Sequence, residues 1–280
     1  MIVVVLLSAA AIGLLSLGRR HWQRETGVLR MTLQSGCLRP TVTTFSRKET
    51  ETLPPPVQRY FATALQEGQA MVASVRFLQR GLFRQDGHKN TWQPFHATQL
   101  VTMHPPGFDW DARITMAPGM AIWVRDSYAL GAGCLRAAVS GLVTVAELRN
   151  TPESARGELM RYLAEAAWYP TALLPSQGVI WEGLDETSAR ATLCDGATTV
   201  TLEFTFGADH LIKTVYAAAR PKSATESAPW LCRIGGCEER GGMRVPVRGE
   251  VEWETSDGPA PYFQGTMTQI DYEFVTRDVA

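Results

Sequence analysis

The N-terminal stretch 1–18 contains no charged side chain and is rich in Ile, Val and Leu. A helix rises about 1.5 Å per residue, so this stretch would reach about 27 Å, close to a hydrocarbon core of about 30 Å. A cleaved signal peptide carries positive charge before its apolar run and a small-residue site after it. Here Arg19, Arg20 and Arg24 follow the run instead, which favours an uncleaved, single-pass transmembrane anchor.

Residues 19–52 mix polar and apolar positions without a period and include a Thr/Ser-rich run at 41–46. Such a pattern predicts a tether. We therefore expect a transmembrane anchor at 1–18, a tether at 19–52 and a single folded domain at 53–280.

Two segments have the period of an amphipathic helix. The first follows a run of prolines, with apolar side chains at i, i+3, i+4, i+7 and i+8 counted from Val57. The second is an interior helix near 152–174, with Thr151 as its N-cap and Pro152 in its first turn. Its apolar stripe consists of Ala155, Leu159, Met160, Leu163, Ala166 and Ala167.

Most other segments alternate as strands do and are separated by Gly, Pro and Asp. Residues 134–148 fit a strand or a helix, and residues 222–242 are predicted to be a loop. The predicted strands are 72–84, 92–103, 108–116, 120–130, 178–181, 189–194, 198–206, 211–219, 245–254 and 262–274. Strands, then a helix, then strands predict a mainly β fold of the α+β class, in which one large antiparallel sheet has helices against one face.

The amino-acid composition limits the classes of function that the protein can have. The chain has 280 residues, 45% hydrophobic and 20% charged, which is typical of a globular protein. Its formal net charge of -1 disfavours a nucleic-acid binder. An odd number of cysteines, five, leans toward a reducing compartment. Cys232 and Cys237 are expected to be two unlinked thiols or one local disulfide, and no spacing of Cys or His predicts a metal site. No phosphate-binding or dinucleotide-binding motif is present, so no cofactor is expected.

One strand carries a candidate polar site. Asp109, Asp111 and Arg113 share one face of it, and Trp110 lies on the other. Asp111 and Arg113 suit the binding of a head group, or else form an exposed ion-pair ladder. Asp126 is expected to join their face from the next strand.

The interior helix contains a second candidate polar site. Glu158 and Arg161 are expected to form an ordinary helix-surface pair. Glu165 lies in an otherwise apolar turn, where burial would suit it to acid/base catalysis or to a contact with a cavity; the alternative is a solvated position at the edge of the stripe.

Aromatic side chains are numerous enough to line a ligand cavity inside a curved sheet, or else to fill a core. The set consists of Trp92, Phe95, Phe108, Trp110, Trp123, Trp168, Tyr169, Trp181 and Trp253.

Several sequence motifs resemble a bacterial family of membrane-anchored proteins that is known only as a domain of unknown function. The most specific is RGELMRYLAEAAWYPTALLPSQGVIWE, at 156–182; others are LPPPVQRYF, WQPFHATQ, PGFDWDARI, GMRVPVRGEVEW and PYFQGTMTQIDYEF. More distantly, the C-terminal strands are similar to the lipoprotein-carrier half-barrels of the LolA type. That resemblance implies a curved antiparallel sheet that wraps helices on its concave face and leaves an apolar cavity for acyl chains.

The first functional hypothesis is a membrane-anchored, non-enzymatic binder that holds a lipid or another hydrophobic ligand between the concave sheet and the 152–174 segment. Its expected ligand-binding residues are Trp110, Asp111, Arg113, Trp123, Arg161, Glu165, Trp168 and Tyr169. The charge rule places the domain on the cytoplasmic face of the membrane and the LolA resemblance places it outside the cytoplasm, so the side stays open.

Two further hypotheses remain. In one, a small-molecule enzyme uses Glu165 as acid/base while Arg113 or Arg161 orients an anionic group, which requires Glu165, Arg113 and Asp111 to meet in one cleft. In the other, a structural or regulatory membrane protein binds an unidentified protein partner through a sheet edge.

Overall fold

The computed structural model describes the backbone of residues 2–37, 42–84 and 91–276, and side chains from residue 13 onward within these ranges. Its helices are α1 (Ile2–Ser35), α2 (Pro55–Ala64) and α3 (Pro152–Glu165). Short 3₁₀ turns occur at Arg47–Thr50 and between α3 and the next strand. The strands are β1 (Val72–Phe83), β2 (Gln93–Thr102), β3 (Gly107–Ala117), β4 (Met120–Ala129), β5 (Ala132–Val139), β6 (Val143–Arg149), β7 (Ile180–Gly183), β8 (Ser188–Asp195), β9 (Thr198–Phe206), β10 (Ile212–Pro221), β11 (Ser227–Gly235), β12 (Glu238–Arg240), β13 (Met243–Val245), β14 (Arg248–Thr255) and β15 (Gly258–Phe274).

Thirteen of these strands form one antiparallel sheet in the order β6-β5-β4-β3-β2-β1-β15-β14-β11-β10-β9-β8-β7. The first six strands form a meander that moves outward from β1. The second half returns inward from β7, and β15 then pairs with β1 to join the halves. Because β6 and β7 pair on one side only, the sheet is open, and its two edges are the two ends of this order.

The sheet curls around α3. This helix contacts β3 to β6 in the first half of the sheet and β9 and β10 in the second, which requires both halves to bend toward it. Thr151 caps the helix by accepting a hydrogen bond from the backbone N–H of Ser154, and the Ser154 side chain accepts one from the backbone N–H of Thr151. The predicted half-barrel with a helix on its concave face is confirmed.

Most predicted strands are confirmed within a few residues. The open alternative at residues 134–148 is decided in favour of two strands, β5 and β6. The prediction of a loop at 222–242 is wrong, because β11 pairs with β10 on one side and β14 on the other. Its alternating buried side chains include Trp230 and Cys232, a strand pattern that the surrounding Gly and Ser residues obscure.

Helix α1 continues well beyond the predicted anchor. Residues 19–35, expected to be part of a tether, are helical, and they pack on the outer face of the sheet through the buried side chains of Trp22 and Leu33. Most of the predicted anchor, 1–18, lies among residues whose side chains are outside the described part. Among the side chains that are described, no helix is both long and apolar enough to cross a membrane.

Candidate functional site

A cavity of about 860 Å³ lies between α3 and the concave face of the sheet. Both halves of the sheet line it, through β3, β4 and β5 on one side and β10, β11, β14 and β15 on the other. Its rim includes the exposed residues Lys222, Thr255 and Asp257, so this end opens to solvent. Its aromatic wall comprises Phe83, Trp110, Trp168, Trp230, Trp253, Tyr262 and Phe263.

The aromatic wall is held together by contacts between its own side chains. Trp230 donates its indole N–H to the hydroxyl of Tyr262 at 2.9 Å. Trp253 stacks on the same Tyr262 ring with a centroid separation of 5.9 Å. These contacts fix the three rings at the cavity wall, and each ring combines a large apolar surface with a directional polar group.

A chain of hydrogen bonds crosses the interior of the sheet toward α3. Trp110 donates to Gln79 at 2.8 Å, Gln79 donates to Gln99 at 2.7 Å, and Gln99 donates to Glu165 at 2.6 Å. Gln79 and Gln99 are buried amides, and each is satisfied by this chain. The chain fixes one carboxylate oxygen of Glu165 at the cavity wall.

Arg161 is the centre of the charged group in the cavity. It donates to Glu165 at 2.8 Å and to Asp126 at 2.6 Å. Its guanidinium also lies over the rings of Phe108 and Trp110, 5.1 and 4.8 Å from their centroids. Although burial lowers the pKa of Arg161, the carboxylates of Glu165 and Asp126 outweigh it and keep the pKa above its ordinary value. The side chain is therefore a permanent buried cation.

Glu158 and Arg220 form a looser pair in the same cavity. Glu158 Oε1 lies 3.9 Å from the Arg220 guanidinium, which also lies over the rings of Trp230 and Trp253. Burial, reinforced by Asp126, raises the pKa of Glu158 to about 8, against the lowering effect of Arg220 and Arg161. Glu158 Oε2 and Asp126 Oδ1 are both buried and accept no hydrogen bond from the described residues.

The opposite face of the sheet carries a second polar group, under α1. Trp22 is fully buried there and donates to Asp111 at 2.8 Å. Its ring lies edge-on to Trp123 at 5.7 Å and beneath the guanidinium of Arg125 at 4.6 Å. Arg113 pairs with Asp111 and lies 3.9 Å over the ring of Trp123. These contacts make this group the docking site of α1.

Three ion pairs complete that dock. Arg30 of α1 donates to the fully buried Asp109 at 2.7 Å. Glu25 accepts from Arg125 and Arg136, at 3.2 and 3.0 Å. Each carboxylate in this layer has a cationic partner, as buried charges require.

The structure therefore places the predicted site residues in three different parts of the molecule. Trp110, Arg161, Glu165 and Trp168 line the cavity. Asp111, Arg113 and Trp123 lie on the other face of the sheet, so the predicted meeting of Glu165 with Asp111 and Arg113 in one cleft does not occur. Tyr169 lies in the core, where it donates to the carbonyl of Tyr162 at 2.9 Å.

Two local predictions are wrong. Asp126 pairs in register with Trp110, whereas Asp111 pairs with Arg125, so Asp126 lies on the cavity face rather than beside Asp111. Glu158 is not in a surface pair with Arg161, because the curled sheet covers this side of α3 and Glu158 is buried. The alternation within β4 is uninformative here, since both of its faces are covered.

Sequence reasoning missed Arg220, Trp230 and Tyr262 as cavity residues, and it misplaced Glu158. The sequence of α3 gives no signal that the helix is surrounded, because five of its 14 side chains are charged. Within the described residues, no group of three His, Cys, Asp or Glu side chains is placed to hold a metal ion. All five cysteines are free, so Cys232 and Cys237 are unlinked thiols.

The fold and the site define an α+β protein in which an open antiparallel sheet curls around a helix and encloses a cavity with aromatic walls and a buried charged group. The chain belongs to a family of unknown function, DUF6920, whose model matches residues 51–272. The predicted membership of such a family is thereby confirmed.

Solved structures that are similar to this chain include a LolA superfamily protein from Nitrosomonas europaea. It has 13% sequence identity, covers 80% of this chain and 98% of its own, and has a TM-score of 0.37. A β-barrel-like protein of the domain of unknown function DUF1849 from Brucella abortus has 10% identity, covers 72% and 98%, and has a TM-score of 0.31. The expected LolA-type neighbour is thus among them. No curated protein matches the chain.

Proposed function

We propose that this protein binds a hydrophobic or amphipathic small molecule, such as a lipid, in the cavity around α3. The observation that carries the proposal is the cavity itself: about 860 Å³ of space beside Trp110, Trp168 and Trp253. Ligand pockets span roughly 300 to 1,000 Å³ and combine apolar walls with a few well-placed polar groups. A filled core would leave no such space.

We also propose that residues 1–18 anchor the protein in a membrane. The support is the uncharged apolar sequence, followed by the exposed basic side chains of Arg19, Arg20 and Arg24 on α1. The same helix docks on the sheet through Trp22 and Arg30. An anchor built on this continuous helix would keep the cavity at a fixed distance from the bilayer, where a lipid ligand is available.

An acid/base enzyme has less support from the geometry. Both carboxylate oxygens of Glu165 already accept hydrogen bonds, from Gln99 and Arg161. A group that must exchange a proton with a substrate needs a free position toward that substrate. The binding proposal therefore stands without a catalytic role.

The test is to purify the full chain from a membrane-containing host, extract bound lipid and count bound ligand by native mass spectrometry. Ala137 on β5 lines the cavity, whereas Ala62 on α2 is exposed and is not part of the lining. Ala137→Phe should reduce the bound ligand by filling its space, whereas Ala62→Phe adds the same side chain at the surface of α2 and should leave the bound ligand unchanged. Equal loss in both variants, or no bound lipid in the wild type, would overturn the proposal.

A further inference from the structure

The buried charged group is balanced only when one of its carboxyl groups is protonated. Beside α3, the cavity lining holds three carboxyl groups, those of Asp126, Glu158 and Glu165, and two guanidiniums, those of Arg161 and Arg220. Burying an ionised group without a partner costs several kcal/mol, so buried charges in proteins are ordinarily paired. The surplus at this site is one negative charge when every group is ionised.

The hydrogen bonds show which carboxylate oxygens of this group have no donor. Glu165 is satisfied by Gln99 and Arg161, and Asp126 uses one oxygen on Arg161. Asp126 Oδ1 and Glu158 Oε2 remain without a donor. Glu158 is about 5% exposed and forms part of the cavity lining, and its free oxygen is covered by protein in the ligand-free structure.

We propose that the cavity selects amphipathic ligands that carry an ammonium head group, which Glu158 and Asp126 bind while the aromatic wall covers the apolar tail. This inference rests on the proposed function and names the ligand's class. A primary ammonium supplies three N–H donors and one positive charge. Its donors are enough for the two free carboxylate oxygens, and its charge balances that of Glu158 once Glu158 is ionised.

The charged surroundings of Glu158 give this binding a pH dependence. Arg161 and Glu165 face it from its own helix, Asp126 from β4 and Arg220 from β10. The remaining charged residues of the cavity lining are Arg84, Glu153, Lys222 and Asp257. Without a ligand, Glu158 has a pKa of about 8 and holds its proton at neutral pH. When the ammonium binds, that proton passes to solvent and the carboxylate pairs with the ligand. An alkylammonium stays charged up to about pH 10, so affinity should rise with pH as Glu158 ionises.

The experiment compares three probes with the same tail, namely dodecylamine, dodecanol and dodecanoic acid. The full chain is placed in phosphatidylcholine nanodiscs, binding is measured by equilibrium dialysis, and empty nanodiscs subtract partitioning into lipid. We expect dodecylamine to bind at least about tenfold more tightly than dodecanoic acid, because a hydrogen-bonded charge pair forms only with the amine.

Glu158→Gln keeps the side-chain volume and removes the charge. It should weaken dodecylamine binding about tenfold, remove its rise between pH 6 and 9, and leave dodecanol binding unchanged. Asp126→Asn should weaken the amine in the same direction. Glu254→Gln, an exposed position on β14 outside the cavity lining, is the matched control and should bind all three probes as the wild type does.

The outcomes separate the two proposals. If all three probes bind equally, or if Glu158→Gln binds dodecylamine as tightly as the wild type, the ammonium preference is overturned and the hydrophobic cavity stands. If none of the probes binds the wild type above empty nanodiscs, the proposed function fails together with it. Thermal unfolding of each variant establishes that a loss of binding is not a loss of fold.

Discussion

The indole N–H of Trp22 in α1 lies 2.8 Å from Oδ1 of Asp111 in β3, although 89 residues separate them in the chain. Trp22 is fully buried by this contact. The helix that contains the basic residues after the apolar N-terminus is therefore part of the folded unit. It is held against the outer face of the sheet, while the cavity lies on the inner face.

Trp22→Ala should release α1 from the sheet. Removing a buried Trp typically costs about 3 to 5 kcal/mol, and here Asp111 also loses a donor. We expect residues 19–35 to become susceptible to protease and to exchange their amide hydrogens faster. Gln23→Ala, on the exposed side of the same helix, is the control and should behave as the wild type. Protection of 19–35 that survives the loss of Trp22 would mean that the ion pairs of Glu25 and Arg30 hold the helix by themselves.

Arg161→Met should destabilise the whole fold. The substitution keeps an apolar stem and leaves Glu165 and Asp126 buried without their cation, a loss that costs about 3 to 5 kcal/mol in comparable buried pairs. Urea denaturation measures the change. Arg161→Met combined with Glu165→Gln and Asp126→Asn removes the stranded charges and should recover part of it. If the triple variant is no more stable than the single one, the cost comes from packing rather than from charge.

The stability of the protein should depend on pH through Glu158. An unfolded Glu ionises near pH 4.5, whereas the folded carboxyl ionises only near pH 8, so between these values the folded state holds the additional proton. Raising the pH across this window therefore lowers the free energy of unfolding.

Glu158→Gln should remove this contribution to the pH dependence of stability, because glutamine does not ionise. Between pH 5 and pH 8, the free energy of unfolding of the Glu158→Gln variant should rise by about 3 kcal/mol relative to that of the wild type. Denaturation of both proteins at several pH values measures this difference. Glu254→Gln should follow the wild type at every pH. Parallel pH profiles for the wild type and Glu158→Gln would show that this carboxyl ionises normally in the fold.

Gly81→Ala should strain the joint between the two halves of the sheet. A Cβ at this position on β1 would lie 1.9 Å from the carbonyl oxygen of Gln264 and 2.8 Å from the Phe95 ring. Overpacking of this kind costs about 1 to 3 kcal/mol, here with a backbone atom that cannot rotate away. Gly27→Ala on α1 meets no atom within 4 Å and should be neutral or stabilising by about 0.5 to 1 kcal/mol. Thermal unfolding of the pair tests the contrast; equal melting temperatures would contradict it.

The thiols should differ in reactivity. Cys194 is exposed, whereas Cys232 is buried at the cavity wall and burial raises its pKa to about 12. Because the thiolate is the reactive form, iodoacetamide should alkylate Cys194 early and Cys232 only after denaturation. Peptide mapping over time measures both rates, and Cys194→Ser should remove the fast phase. Early labelling of Cys232 would indicate that reagent enters the cavity readily.

The spacing of apolar residues along the chain was sufficient to predict most of the individual strands and helices. Alternation predicted strands such as β9, and the Thr151 cap with Pro152 predicted where α3 begins. These signals are local, because a strand or helix that is half-buried must repeat its apolar residues at its own period. Local signals failed at Glu158, because α3 is covered on more than one side, and at β11, because the surrounding Gly and Ser residues obscure its alternation.

The sequence by itself determined the strand-rich fold class, the interior helix, the two faces of β3 and the family. Only the tertiary structure decided that α1 covers one face of β3, that Asp126 lies opposite Trp110 across the strand pair, and that Arg220 from β10 meets Glu158 from α3. These contacts join residues that are far apart in the chain. Register and sheet curvature bring them together, and neither leaves a periodic trace in the sequence of a single strand.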